Sequence, residues 1–214
     1  MSQWSVAPTK SNLIRARETL ELAREGHDIL DRKREVLTSE LLRVADDARR
    51  MRSRVEKLLA DAYDALQLAR LVMGREHLVW AALSVNKTTE VEVRLSSIMG
   101  VPVPQVSAKG APPEIPYGMG NTTVSLDEAA TRFRNVLDEI PELAELITTV
   151  WRLARELQKT QRRVNALEHV FILEYEERVD YIESVLEERE REELFRLKRI
   201  KAEHGINRQG EGNR

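Results

Sequence analysis

The chain has 214 residues, 34 Lys and Arg against 36 Asp and Glu, and a formal net charge of -2. That balance argues against broad electrostatic binding of nucleic acid, and the absence of Cys excludes a disulfide scaffold, a thiolate nucleophile and a cysteine zinc site. With 33% charged and only 5% aromatic residues, the composition suits long helices rather than a compact α/β enzyme.

The opening Met1–Val6 has neither a basic region nor an apolar core, so it is not expected to be a secretory signal. The longest purely apolar run, Leu78–Leu83, is far short of the roughly 20 residues of a membrane span. The expectation is a soluble, cytoplasmic protein with no segment inserted in a membrane.

From Thr9 to Met73 there is no Pro and one Gly, Gly26. Steps of three and four from Leu13 meet Ala16, Leu20, Ala23, His27, Leu30, Arg34, Leu37, Leu41, Val44, Ala48, Met51, Val55, Leu58, Ala62, Ala65, Ala69 and Val72. Only His27 and Arg34 break the apolar series. A 3.5-residue repeat held this long is the pattern of a left-handed coiled coil. Residues 1–73 are therefore expected to form one coiled-coil helix, roughly 90 Å long at about 1.5 Å per residue.

Residues 74–124 read differently, holding five of the seven Pro and five of the nine Gly. A short helix is expected over 75–86, with Leu78, Val79, Ala82 and Leu83 on one face. Glu90–Leu95 alternates with the period of a strand, and Val101, Val103 and Val106 follow. This predicts a β-hairpin about Met99-Gly100 whose second strand, carrying Pro102 and Pro104, is an edge. Gly110 to Gly120 reads as loop.

Residues 125–204 are expected to form the second long helix, with Ser125 as its N-cap and Glu128 as the capping-box partner. Its stripe runs Phe133, Val136, Ile140, Leu143, Ile147, Val150, Ala154, Leu157, Gln161 and Val164. It then shifts by about one residue through Leu167, Phe171, Val179, Ile182 and Leu186, a stutter that relaxes the supercoil. Pro141 lies in phase with the stripe and predicts a kink or local break. Residues 205–214 read as a flexible tail.

The fold expected is all-α: a long antiparallel two-helix coiled coil with a small middle region containing a short helix and a β-hairpin, and both termini at one end. With Val72 opposite Phe133, partner numbers sum to about 205 in an antiparallel register. His27 is then expected near Asp180, and Arg34 near Glu174. The stripe widens toward the loop end, where Leu59, Tyr63, Leu66, Leu68 and Leu71 form a second apolar face with Leu146, Trp151 and Leu153 across from them. A two-helix seam cannot cover them all, so either the chain's own middle or a partner protein does. An outer row, Leu22, Ile29 and Val36, is either incidental or a contact track.

Enzymatic signatures do not emerge. There is no P-loop pattern or HExxH, Gly118-Met119-Gly120 reads as a turn, and His27, His77, His169 and His204 are dispersed. No catalytic residue, metal ligand or cofactor is expected. The run Glu187–Glu193 has the interleaved charge of a solvated, salt-bridged face.

The segment Thr160-Gln161-Arg162-Arg163-Val164-Asn165-Ala166-Leu167-Glu168 resembles the T-x-R-R-V-N-A-L-E motif of the D subunit of V-type (archaeal/vacuolar-type) ATP synthases. Pro8–Leu13, Ile98–Pro104 and Leu186–Lys201 fit the same family in order along the chain. The departures are Phe171-Ile172-Leu173-Glu174, where the family more often has V-I-P, and Pro141. The resemblance implies a non-catalytic rotor shaft in the central stalk of a rotary ATPase, peripheral to the membrane. Its partners would be the A/B catalytic hexamer, the F subunit, and the d-type C subunit that connects to the membrane ring. Head contacts would fall on Arg189, Arg191, Phe195, Arg196, Leu197, Lys198 and Lys201. Contacts with the F subunit would fall on Leu59, Tyr63, Leu66 and Trp151. Other readings of the same pattern are a free-standing coiled-coil scaffold and an RNA-binding helical hairpin.

Overall fold

A computed structural model describes residues 7–83, 89–110 and 122–211. In chain order they form α1 (Lys10–Met73), α2 (Arg75–Leu83), β1 (Thr89–Ile98), β2 (Val101–Gly110), α3 (Val124–Ala166), a π-helical turn (Leu167–Ile172) and α4 (Leu173–Glu211). The class is all-α with one two-stranded antiparallel hairpin. Of the expected loop from Gly110 to Gly120, only Gly110 lies within the described residues, and the expected end of the short helix at residue 86 lies outside them.

The chain divides into a terminal unit, Met1–Arg32 with Thr160–Arg214, and a central unit, Lys33–Lys159. In both, α1 turns one stripe inward. Every position of its three-four series from Leu13 to Ala69 is buried or half-buried, and only Val72 at the far end is exposed. The apolar period alone was enough to place this face, because each inward residue recurs after the 3.5 residues of a supercoiled turn.

In the terminal unit Ala16 and Leu20 pack on Val179, with Leu13, Ile172 and Tyr175 around them. Three ion pairs flank this seam: Lys10 with Glu190 at 2.8 Å, Arg17 with Glu183, and Arg24 with Glu176 at 2.6 Å. Successive cations and successive carboxylates are each one heptad apart. Partner numbers sum to about 200, the constant sum of an antiparallel register.

The expected sum of about 205 is corrected in the central unit as well. Phe133 meets Tyr63, edge to face at 5.5 Å between centroids, and not Val72. The central core has two clusters. Met51, Val55, Ala62 and Val136 pack with Leu58, Leu59, Phe133, Leu143 and Leu146. Leu37, Val44 and Leu153 pack with Val101 of the hairpin, flanked by Leu41, Ile98, Leu146, Val150 and Leu157.

That second cluster moves the α3 seam. Ile140 and Ile147, expected inward, are 43% and 41% exposed, whereas Leu153 is fully buried and Thr149 is buried. The hairpin supplies the cause, since it covers the flank of α3 that carries Leu146 and Leu153. Val106 N–H donates to Glu145 Oε2 at 2.7 Å, and Arg152 Nη1 donates to the Pro102 carbonyl at 2.7 Å. The chain's own middle is thus the third layer on the two-helix seam.

The hairpin turns at Met99-Gly100, as the alternation predicts, with φ of 51° and 80°. Two successive positive φ values make the tight turn whose twist suits a two-stranded ribbon. Gly74, at φ 77°, closes α1 by donating its N–H to the Arg70 carbonyl at 3.0 Å. Two helix limits differ from expectation. α3 starts at Val124, so Ser125 lies in its first turn instead of capping it, and α4 continues to Glu211, past Gly205. α3 runs through Pro141 as one helix.

Candidate functional site

The surfaces that could bind partners are those the seams leave outward. At the end of α4, residues 187–201 are all exposed. Phe195, Leu197, Leu194 and Ile200 present apolar surface, Phe195 being 72% exposed. The cations beside them are held loosely. Arg191 lies 3.4 Å from Glu187 and 3.6 Å from Glu188, and Arg196 lies 3.9 Å from Glu192. Arg189 donates to the Pro8 carbonyl at 3.0 Å, and Lys198 Nζ stands 6.0 Å from the Phe195 ring centroid. Lys201 is exposed. Exposed pairs of this kind contribute about 0–1 kcal/mol each, so the cations can exchange partners at little cost.

Lys10 and Glu190, paired at this end, titrate away from their ordinary ranges. Glu190 is held below the usual carboxylate range by the hydrogen bond and charge of Lys10, and Lys10 is raised by the same contact.

In the central unit residues of α1, α2 and α3 together line a cleft of about 350 Å³. Its walls are entirely apolar and include Leu66, Leu78, Ala81, Leu126, Ala129 and Phe133. Leu59 is half-buried in the helix core, and Tyr63 is 52% exposed. Tyr63 and Leu66 line one groove with Leu78 and Val79, and Leu59 does not reach it. Trp151 does not join them. It is 74% exposed in a separate groove with Thr148, Arg152, Ala154, Arg155 and Gln158. It lies 18 residues along α3 from Phe133, about 27 Å at 1.5 Å per residue.

The motif residues serve the helix seam. Val164 is 1% exposed and Leu167 is half-buried, while Arg162, Arg163, Asn165 and Ala166 face outward. Gln161 Nε2 donates to Asn165 Oδ1 at 2.7 Å. Glu168, the last residue of the motif, approaches His27 Nε2 at 3.9 Å, and His27 Nδ1 lies 3.3 Å from Asp28. Asp180 is therefore not the carboxylate beside His27, because partner numbers in this unit sum to 200 or less and not to the expected 205. Glu174 pairs with Arg178 on its own helix at 3.1 Å, and Arg34 is half-buried, its carbonyl accepting from Thr38 Oγ1.

Residues 12–202 match the family described as the ATP synthase D subunit. The chain belongs to that family. It is 41% identical over 197 residues to the V-type ATP synthase D subunit of Thermotoga neapolitana, covering 92% of this chain and 97% of the relative. It is 41% identical to the A-type ATP synthase D subunit of Thermococcus sibiricus and 40% identical to that of Pyrococcus furiosus, in each case over 92% of this chain and 94% of the relative. As a D subunit it is one component of a membrane-associated ATP synthase complex with other ATPase subunits. No described helix is long and apolar enough to cross a membrane, and no group of three or more potential metal ligands occurs among the described residues.

Sequence reasoning missed the inward Thr149 and Thr160, and it left open whether the chain's own middle or a partner covers the second apolar face, where Val101 packs on Leu153. It also placed Phe171 in the stripe, although Phe171 is 50% exposed and Ile172 takes the inward position. A signal for Ile172 was available: it restores three-four spacing to Tyr175 and Val179, which Phe171 does not.

Proposed function

We propose that the chain is the rotor shaft in the central stalk of a V/A-type ATP synthase. It transmits torque between the A/B catalytic head and the membrane rotor, and it has no catalytic role of its own. The observation that carries this reading is the α1 seam, inward at every three-four step from Leu13 to Ala69 and flanked in the terminal unit by a heptad ladder of ion pairs. A helix pair transmits twist if its helices cannot slide past one another. Apolar attraction holds them without regard to direction, and the ladder opposes slips of less than a heptad.

In this reading the tip of α4 meets the head. Phe195 and Leu197 form a non-directional bearing, and Arg189, Arg191, Arg196, Lys198 and Lys201 add a Coulomb term that varies as each head protein passes. The F subunit meets Leu59, Tyr63 and Leu66, Trp151 marks a second contact, and the d-type C subunit takes the loop end. The chain then lies at the cytoplasmic face of the membrane without entering it.

The test is ATP-driven rotation of the reconstituted head. Truncation from Leu194 onward is expected to reduce torque more than it reduces the stability of the helix pair. Neutralising Arg196, Lys198 and Lys201 together is expected to weaken assembly or coupling. Unchanged torque, assembly and turnover in both variants would refute the reading.

A further inference from the structure

The seam of the terminal unit changes step once. Inward positions follow at three and four residues through Thr160, Val164 and Leu167. The next is Ile172, five residues on, after which Tyr175, Val179, Ile182 and Leu186 resume the rhythm. Five residues of α-helix would turn about 500°, leaving Ile172 about 140° away from the seam. The π-turn Leu167–Ile172 absorbs the extra residue, because its hydrogen bonds span five residues instead of four.

This adjustment costs packing locally. None of the six residues of the π-turn is buried, and Val170, Phe171 and the following Leu173 are each about half exposed. The backbone then tightens, Leu173 N–H donating to the Val170 carbonyl. The facing part of α1 is weak as well. His27 stands in the stripe where its neighbours in the series are apolar, with Glu168 of the π-turn 3.9 Å away. Beside it, Gly26 occupies a helix interior where a Cβ would meet nothing within 4 Å. Neither close approach nor a positive φ requires glycine there, yet glycine is a poor helix residue. Seam packing is regular on either side, at Thr160 and Val164 before the turn and at Ala16, Leu20 and Val179 beyond it.

We propose that Gly26-His27 and the π-turn Leu167–Ile172 form a compliant layer built into the helix pair. It opens and rewinds at lower cost than the layers flanking it, while the ladder of Lys10, Arg17 and Arg24 keeps both helices in register. Two irregularities meet at one level, on opposite helices, in a seam otherwise in step. The opening free energy of a segment follows its buried contacts, and these are depleted at the π-turn, where no residue is buried. The inference concerns the winding of this chain and stands apart from the torque reading.

Amide hydrogen exchange on the full chain tests it. Residues 169–173 and 27–30 are expected to exchange at least tenfold faster than the stretches on both sides, 160–164 and 180–184 on the one helix and 16–20 on the other. Deleting His169, which is exposed on the π-turn, lets the turn become α-helical and should raise protection of the residues that follow at least tenfold without moving the Arg17–Glu183 pair. Gly26→Ala should raise protection on the α1 side severalfold. Uniform protection along both helices of the unmodified chain would overturn the proposal. So would a folded deletion variant whose exchange at this layer is unchanged. If the deletion variant does not fold, the unmodified chain and Gly26→Ala decide by the same criteria.

Discussion

Leu153→Ala probes how the hairpin is tied to the helix pair. Leu153 is fully buried among Leu37 and Val44 of α1 and Val101 of β2. Truncation removes apolar contacts to two other elements at once and leaves a cavity. A collapse to fill it would have to move a helix or lift the hairpin, whose Arg152–Pro102 and Val106–Glu145 hydrogen bonds resist that motion. The cost for a buried Leu→Ala is about 2–5 kcal/mol, rising with the residual cavity, and this site belongs in the upper half of that range. Leu197→Ala, at a residue 63% exposed, is the control and should stay within about 0.5 kcal/mol. Chemical denaturation followed by far-ultraviolet circular dichroism gives both values. A cycle with Val101→Ala should show a coupling of about 0.5–3 kcal/mol, because the two side chains share one cluster. A loss below about 1 kcal/mol for Leu153→Ala, or strict additivity in the cycle, would refute the hairpin as the third layer of the core.

The depressed Glu190 carboxyl contributes stability above the ordinary carboxylate range, and loses it as pH falls through its folded value; Lys10→Met should move its titration midpoint upward in a carboxyl-carbon NMR titration, and an unmoved midpoint would exclude Lys10 as the cause. In the ladder, a double-mutant cycle on Arg24 and Glu176 should give a coupling of about 0.2–1 kcal/mol that shrinks with added salt, since both side chains reach solvent. Gly100→Ala should destabilise the hairpin by about 1–2 kcal/mol, because φ of 80° brings a Cβ against the following carbonyl, and an unchanged NMR spectrum of β1 and β2 would count against that turn. Under the proposed function, Tyr63→Glu with Trp151→Glu, at side chains 52% and 74% exposed, should weaken binding of the F subunit at least tenfold in calorimetric titration while the helical signal is retained; undiminished binding to the folded variant would place that contact elsewhere.

The α1 helix and its inward face were legible from residue spacing alone. An apolar side chain every 3.5 residues on a chain without Pro leaves one face to bury, whatever lies opposite. The hairpin turn was legible for a similar reason, since alternation on both sides of Met99-Gly100 fixes where the strand must reverse. The extra residue near Leu167 showed in the sequence as a change of step, although Phe171 and not Ile172 was placed inward, because two neighbouring apolar residues compete for one inward position. Motif resemblance identified the family, and nothing in the residue pattern by itself names the partners. The tertiary structure decided the rest. Which flank of α3 faces inward depends on where the hairpin lands, which is why Leu153 and Thr149 are buried while Ile140 and Ile147 are not. The level at which α1 and α3 meet depends on the contact between Tyr63 and Phe133. A heptad repeat is indifferent to sliding by whole repeats, so only contacts between distant parts of the chain could set that register.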